Sequence, residues 1–547
     1  MIPEQLVHVI EAAVKQHWDS PAFSDYEGTT LSYGDLAGEI SRMHKMFRKA
    51  HLKQGDTIAA VGKNSTNWAL TYLATLSYGA VIVPILADFT ADNIHHIVNH
   101  SDSKLLFCAD LLYEKLDESQ MPQLEAIFSL NDFRLLHFRK KHFPEIVSQA
   151  GGVGNRPALD AKNLSYPNLT NDRLATIMYT SGTTGFSKGV MLSHNSLMAN
   201  ILFAQKHMPL KQGDRIMSFL PLAHAYGCLF EFLFPFTLGC HITFLTKLPS
   251  PKLLLEAFQT IRPSLILSVP LIIEKIYQKQ IQPLLSKKSV QWLLRVPPAK
   301  KLLYAKIRKK LMAAFGENFF EIVIGGAALD PEVEAFFKEI RFPVTVGYGM
   351  TECGPLISYA DWKSHRAGSS GRCIDFLELE VDASQSSQEV GQIRVRGENV
   401  MLGYYKNEDA TRDVLDEEGW LKTGDLGLVD QDGFLFLKGR CKNVLLGPSG
   451  HNIYPEELEA RLNHLPFTQE SLVLEKNGKL IAMVYPDFER ADSEGLDETQ
   501  LAEKMEKNRK ALNKTLPAYS ALSKIELYPK EFEKTPTRKI KRFLYQI

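Results

Sequence analysis

An alternation along the chain constrains its fold more than any other feature. Short apolar runs rich in β-branched residues are separated by stretches with helical periodicity. Thr57–Gly62 (TIAAVG) reads as a strand, Thr66–Tyr78 as a helix, and Ala80–Pro84 (AVIVP) as a strand again. The pattern returns at Ser103–Cys108, Ala175–Tyr179, Arg215–Leu220, His241–Leu245, Ser264–Ser268 and Glu321–Ile324. A strand covered on both faces has no polar side to show, so it reads as a continuous apolar run. Parallel strands flanked by crossover helices have this signature, and the expected fold class is α/β. At 547 residues there is material for about three or four domain-sized units.

One stretch invites a different reading. Ile216–Leu245 carries a single acid, Glu231, and is otherwise almost uncharged. It is interrupted by Pro221, Gly227, Pro235 and Gly239, and a carboxylate at its centre is costly in lipid, so it reads as buried core and not as a membrane span. The 63 basic and 63 acidic residues balance, which gives no reason to expect a nucleic-acid partner. The six cysteines form no CxxC pair and no Cys/His run at zinc spacing, so reduced thiols in a cytoplasmic protein are expected. The first residues, MIPEQLVHVIEAAVKQHW, lack the basic and apolar regions of a secretory leader.

Gly151–Asn168 is turn-rich and reads as a link between two α/β sheet subdomains. From about Cys373, short strands with polar turns, such as Gly391–Arg396 and Gly433–Lys438, indicate a small β-rich subdomain. Beyond Gly439–Arg440 comes an α+β pattern, with helices at Pro455–Leu462 and Glu498–Leu516 and strands near Ser471–Glu475 and Leu480–Tyr485. Asp487–Asp497 is acidic and reads as an exposed loop.

The chemistry is concentrated in Thr180-Ser181-Gly182-Thr183-Thr184-Gly185-Phe186-Ser187-Lys188-Gly189, directly after the strand ATIMYT. Glycines let backbone N–H groups approach an anion, the hydroxyls add donors and the lysine adds charge, which together suit a phosphate cradle. The spacing G-x-x-G-x-x-K-G is not that of a Walker A loop.

This segment resembles the phosphate loop of the adenylate-forming superfamily, which holds acyl-CoA synthetases, luciferases and peptide-synthetase adenylation domains. That loop usually has proline where this chain has Ser187. Further matches follow in the family's order. Pro221-Leu222-Ala223-His224-Ala225-Tyr226-Gly227 is similar to the acyl-pocket segment, and the resemblance implies that His224 abuts the carboxylate site. Gly325-Gly326-Ala327-Ala328-Leu329 resembles the adenine-contacting turn. In Gly347-Tyr348-Gly349-Met350-Thr351-Glu352, the resemblance implies that Tyr348 stacks on adenine, Thr351 contacts phosphate and Glu352 holds Mg²⁺, with Thr184 as a second metal contact. Gly403–Asn407 and Gly419–Asp425 match again, and Asp425 would accept hydrogen bonds from the ribose hydroxyls. Gly439-Arg440-Cys441-Lys442 resembles the interdomain linker, with Arg440 touching nucleotide and Lys442 as hinge. Gly450 and His451 lie in a segment similar to the loop along the CoA tunnel. Lys534–Arg542 contains the adenylation pattern and places that role on Lys539, next to Arg538 where relatives commonly have glycine.

The domain layout implied is an AMP-binding domain over 1–438, a hinge over 439–442 and a small mobile α+β domain over 443–547. The ligands implied are ATP, Mg²⁺ and CoA, with Thr180, Ser181, Gly182, Thr183, Thr184, Lys188, Gly326, Ala327, Tyr348, Gly349, Thr351, Asp425, Arg440 and Lys539 around the nucleotide. Ser268–Tyr277 and Gly325–Phe337 look like the corresponding stretches of long-chain fatty acyl-CoA ligases, and the Phe- and Leu-rich Ile216–Leu245 segment would suit an alkyl tunnel. The substrate expected is a medium- to long-chain fatty acid. Two alternatives stand beside it: an acyl-AMP ligase loading a carrier-protein phosphopantetheine, and a non-catalytic nucleotide- or lipid-sensing homologue. Finally, Lys275–Gly316 holds eleven lysines and arginines and no acid, mixed with Trp292, Leu293, Leu294, Leu302, Leu303 and Tyr304. Such a mixture suits peripheral contact with the inner face of a membrane, or simply a solvated basic face.

Overall fold

The computed structural model describes residues 2–150, 159–180, 188–382, 390–446, 452–476, 478–517, 520–534 and 540–545. The chain forms two units. The first comprises residues 1–180, 187–378 and 395–421, and the second residues 181–186, 379–394 and 422–547.

Two large sheets build the first unit. In one, the strands run in the order Val344–Val346, Glu321–Ile324, Leu265–Ser268, Arg215–Ser218, His241–Phe244, Pro21–Asp25 and Thr30–Ser32, parallel except for the last. In the other, Leu174–Thr180, Val81–Ile85, Thr57–Val61, Leu105–Cys108 and Ala126–Ser129 are parallel neighbours, edged by the antiparallel strands Lys188–Ser193, Gly403–Tyr404 and Leu135–Phe138. Every apolar run named above forms a strand of one of these sheets. The helix Thr66–Tyr78 is capped by the Ser65 hydroxyl and ends at Gly79, whose φ of 88 suits glycine.

The Ile216–Leu245 stretch is core. Cys228–Leu233 winds as a π-helix, and Phe232 and Phe236 both pack on Phe23. Those two rings therefore fill core. No helix among the described residues is long and apolar enough to cross a membrane.

The second unit holds most of a four-stranded sheet, with Leu377–Asp382, Gly391–Gly397, Leu421–Val429 and Leu435–Arg440 in that order. It also holds the sheet Thr468–Lys476, Lys479–Pro486 and Lys524–Leu527. Helices Pro455–Asn463 and Glu498–Asn513 pack on that sheet around Leu458, Leu462, Val473, Val484, Leu501 and Met505. Two readings need correction here. Asp487–Asp497 is not simply a loop: Phe488–Ser493 is helical, capped by the Asp487 carboxylate and anchored by buried Ala491. The strand expected over Gly433–Lys438 begins at Leu435 and runs on through Arg440, so Arg440 closes a strand.

Candidate active site

In open parallel sheets, ligands bind beyond the carboxyl ends of the strands, where the chain turns out of the sheet and its backbone groups are free to point at a guest. Three predicted segments lie at such ends of the first sheet. Arg215–Ser218 leads into the turn with His224, Glu321–Ile324 into Gly326 and Ala327, and Val344–Val346 into Tyr348, Gly349, Thr351 and Glu352. Thr180 ends Leu174–Thr180 in the second sheet.

Tyr226 brings the first two of these turns together. Its hydroxyl donates to the Val323 carbonyl at 3.0 Å, and its ring stands where a Cβ on Gly325 would meet Cζ at 3.0 Å. His224 is half-buried at the start of the short helix Ala225–Gly227. That turn requires glycine at its end, since a Cβ on Gly227 would lie 2.8 Å from the Pro221 carbonyl oxygen. Gly326 has φ +89 with open space around it, and Gly326 and Ala327 are exposed. A Cβ added at Gly326 would meet no atom within 4 Å.

The third turn is tightly folded. A Cβ on Gly349 would sit 2.2 Å from the Pro355 carbonyl oxygen, so only hydrogen fits. Thr351 and Glu352 lie on the single turn Thr351–Cys353, and Glu352 is 9% exposed. Its Oε1 accepts a hydrogen bond from the Tyr404 hydroxyl at 2.8 Å. The same Tyr404 ring lies 4.6 Å from Nζ of Lys188. Tyr404 reaches both because Gly403–Tyr404 pairs with Lys188–Ser193, Tyr404 opposite Val190. Lys188 in turn pairs with Thr180, the residue that ends the neighbouring strand. The first unit thus assembles Thr180, Lys188, Tyr404 and Glu352 into one polar group. Ser181, Gly182, Thr183 and Thr184 lie outside the described residues.

In the second unit, Asp425 and Arg440 are cross-strand partners, with Arg440 Nε 2.8 Å from Asp425 Oδ1. Asp425 is 8% exposed, and its backbone N–H donates to the Thr423 hydroxyl at 3.1 Å. Lys442 is exposed on the turn Cys441–Asn443. That turn is tied to the helix Pro455–Asn463, with Asn443 donating to Glu456 at 2.5 Å and Lys438 2.9 Å from Glu457. Gly450, His451 and Lys539 lie outside the described residues. The residues flanking the last of these, Lys534 and Ile540, form an antiparallel bridge.

A model of the AMP-binding enzyme family matches residues 10–405. The chain belongs to that family. This AMP-binding enzyme is 25% identical to the long-chain-fatty-acid–CoA ligase ACSBG2 of Rattus norvegicus over 91% of its own length and 80% of that protein. It is 28% identical to the chloroplastic long-chain-fatty-acid–[acyl-carrier-protein] ligase AEE15 of Arabidopsis thaliana, over 84% and 73%. The fold is that of the anthranilate CoA ligase AuaEII, crystallised with anthranoyl-AMP, at a TM-score of 0.80 and 18% identity over 99% and 96% of the two chains. The chain is an adenylate-forming ligase, with a large N-terminal and a smaller C-terminal domain.

Three residues that brace the candidate site of this AMP-binding enzyme escaped the motif reading. Asn64, reaching from the second sheet, donates to the Leu220 carbonyl at 2.7 Å and accepts from Leu222 N at 3.0 Å, which fixes the approach to His224. Glu231 accepts from Phe219 N and Leu220 N, both at 2.9 Å, and burial pushes its carboxyl well above the usual range. Fully buried Asn200 accepts from Leu356 N at 3.0 Å and donates to the Cys353 carbonyl at 3.1 Å, clamping the turn that bears Glu352. Glu231 carried a legible signal as the lone acid of an apolar stretch, whereas the two asparagines act over more than 150 residues of separation, which no local pattern records.

Proposed function

We propose that this enzyme joins a medium- to long-chain fatty acid to AMP, releasing pyrophosphate, and then passes the acyl group to CoA. The observation that carries the reading is the Lys188–Tyr404–Glu352 group beside Thr180. A cation and a carboxylate stand on either side of one tyrosine, at the loop whose composition suits a phosphate cradle. A carboxylate is a poor acyl donor because oxide would be its leaving group, and a mixed anhydride with AMP gives a thiol something it can displace. Lys188 and the backbone around Thr180 would bind the phosphates, and Asp425 with Arg440 the ribose side. The small residues at Gly326 and Ala327 would admit adenine against Tyr348, with Thr351 on phosphate.

The donor set fits Mg²⁺. One carboxylate, Glu352, with hydroxyl and phosphate oxygens suits an ion that keeps few protein ligands. Glu352, together with Thr184, would hold it, and the bound ion neutralises phosphate charge. Lys539 would offset charge near the carboxylate and α-phosphate, His224 would border the acid, and Gly450 and His451 would line the CoA approach. The domain limits 1–438 and 443–547, with Lys442 as hinge, and a cytoplasmic location belong to the same reading.

The names of the relatives support long-chain acids and CoA as the acceptor. The resemblance to an acyl-carrier-protein ligase keeps carrier phosphopantetheine as a second reading. The test is pyrophosphate release across chain lengths and aryl acids, with CoA and with carrier protein in turn. Turnover confined to aryl acids overturns the fatty acid, transfer to carrier protein alone overturns CoA, and no release with any acid supports a non-catalytic homologue.

A further inference from the structure

Residues 275–316 supply none of the groups assembled in the site. They lie within the crossover between the adjacent parallel strands Leu265–Ser268 and Glu321–Ile324, largely as helices, of which Lys288–Leu294 and Pro297–Ala314 are the last two. The segment has eleven cations and no anion.

Helix Pro297–Ala314 sorts these residues by face. Toward the body, Ile307 and Leu311 are buried, Lys300 pairs with Glu339, and the Tyr304 hydroxyl donates to the same carboxylate at 3.1 Å. Lys300 is therefore occupied at the body side. Lys301, Leu302, Lys306, Lys309 and Lys310 are exposed, recurring at helical spacing along the opposite face. Leu302 is 75% exposed, and Trp292 on the preceding helix is 65% exposed beside exposed Lys288 and Arg295.

We propose that this outer face, with Leu302 set among Lys301, Lys306, Lys309 and Lys310, docks the enzyme on an anionic lipid bilayer together with exposed Trp292 of the preceding helix. Charge complementarity selects the headgroups, because lysines held outward without a carboxylate among them meet phosphate on a surface. The two apolar side chains select lipid over a nucleic-acid backbone, which offers them nothing to enter. Tryptophan and leucine gain from the headgroup–acyl boundary. The docking requires no assumption about which acid is activated.

The test is flotation of the full-length protein with vesicles of phosphatidylcholine alone and of phosphatidylcholine with phosphatidylglycerol, at low and high salt. Binding is expected only with the anionic vesicles and is expected to fall with salt. K301Q/K306Q/K309Q/K310Q should weaken partitioning by roughly fivefold for each charge removed. W292S/L302S should weaken it at both salt concentrations, while Lys252→Gln, a lysine 88% exposed elsewhere, should leave it unchanged. Pyrophosphate release on a water-soluble acid should be the same in all variants, which separates docking from catalysis and confirms folding. Equal binding to neutral vesicles, no vesicle binding, or full binding by the quadruple variant would overturn the proposal. So would binding to a duplex oligonucleotide without binding to vesicles.

Discussion

Tyr404 touches both Glu352 and Lys188, and it does so with two different parts of itself. Its hydroxyl serves Glu352 and its ring face serves Lys188. Tyr404→Phe separates the two roles, keeping the ring and removing the donor. A hydrogen bond to a charged group is worth about 1.5–3 kcal/mol. Pyrophosphate release should therefore fall by about tenfold to a hundredfold, with a raised Mg²⁺ requirement, while thermal stability changes little. Unaltered kinetics would remove the hydroxyl from the site. Glu321 shows a different effect at the same scale. Burial raises its carboxyl from 4.5 to about 7, against the pull of hydrogen bonds from the Tyr359 hydroxyl and Trp362 N–H. A carboxyl that holds its proton more tightly when folded contributes stability that is complete below pH 4.5 and is lost as pH rises to about 7. The difference in unfolding free energy between the native chain and Glu321→Gln should therefore slope by up to about 1.4 kcal/mol per pH unit across that window. It should be flat above it. Parallel denaturation curves from pH 4.5 to 8 provide the check.

Among the elements, the turn after Val344–Val346 is the least tolerant. With the Pro355 carbonyl oxygen 2.2 Å from any Cβ at position 349, Gly349→Ala must open the hairpin that sets Tyr348 and Glu352. The expected result is loss of ATP-dependent pyrophosphate release while the fold persists by circular dichroism, with ATP binding by calorimetry weakened in parallel. How far such elements could be read from the chain depended on their surroundings. Parallel strands buried on both faces, such as Thr57–Val61 and Glu321–Ile324, were legible because their one polar residue stands at the start and an unbroken apolar run follows. Pro21–Asp25 was not, since Ser24 and Asp25 break its apolar run and its place in the sheet comes from pairing with His241–Phe244, more than 200 residues away. Helix Phe488–Ser493 was hidden by its acidity, although its Asp487 cap and the single buried Ala491 suffice to seat it. The candidate site divides in the same way. Residues within contiguous motifs could be nominated from local pattern, whereas Asn64 and Asn200 work through backbone groups far along the chain.

For the molecule as a whole, the proposed chemistry depends on a residue of the second unit. If Lys539 serves only the first half-reaction, Lys539→Ala should abolish acyl-AMP formation while largely sparing thioester formation from supplied acyl-AMP. Equal loss of both half-reactions would contradict that role. Among the described residues on either side of Lys539 in the chain, Lys534 and Ile540 form an antiparallel bridge, Lys534 lies 2.6 Å from Glu470, and Arg542 pairs with Glu459 at 2.7 Å.

The pairing of Thr180 with Lys188 has a further consequence. Lys188, Val190 and Leu192 alternate with Gly189 and Met191, so they share one side of their strand, and Val190 and Leu192 are fully buried. A slip of one position would turn the lysine away from Tyr404 and at the same moment expel two buried aliphatic side chains. The direction of the charge is thus tied to a parity that the core enforces, and an error in aiming this lysine would also be an error in folding.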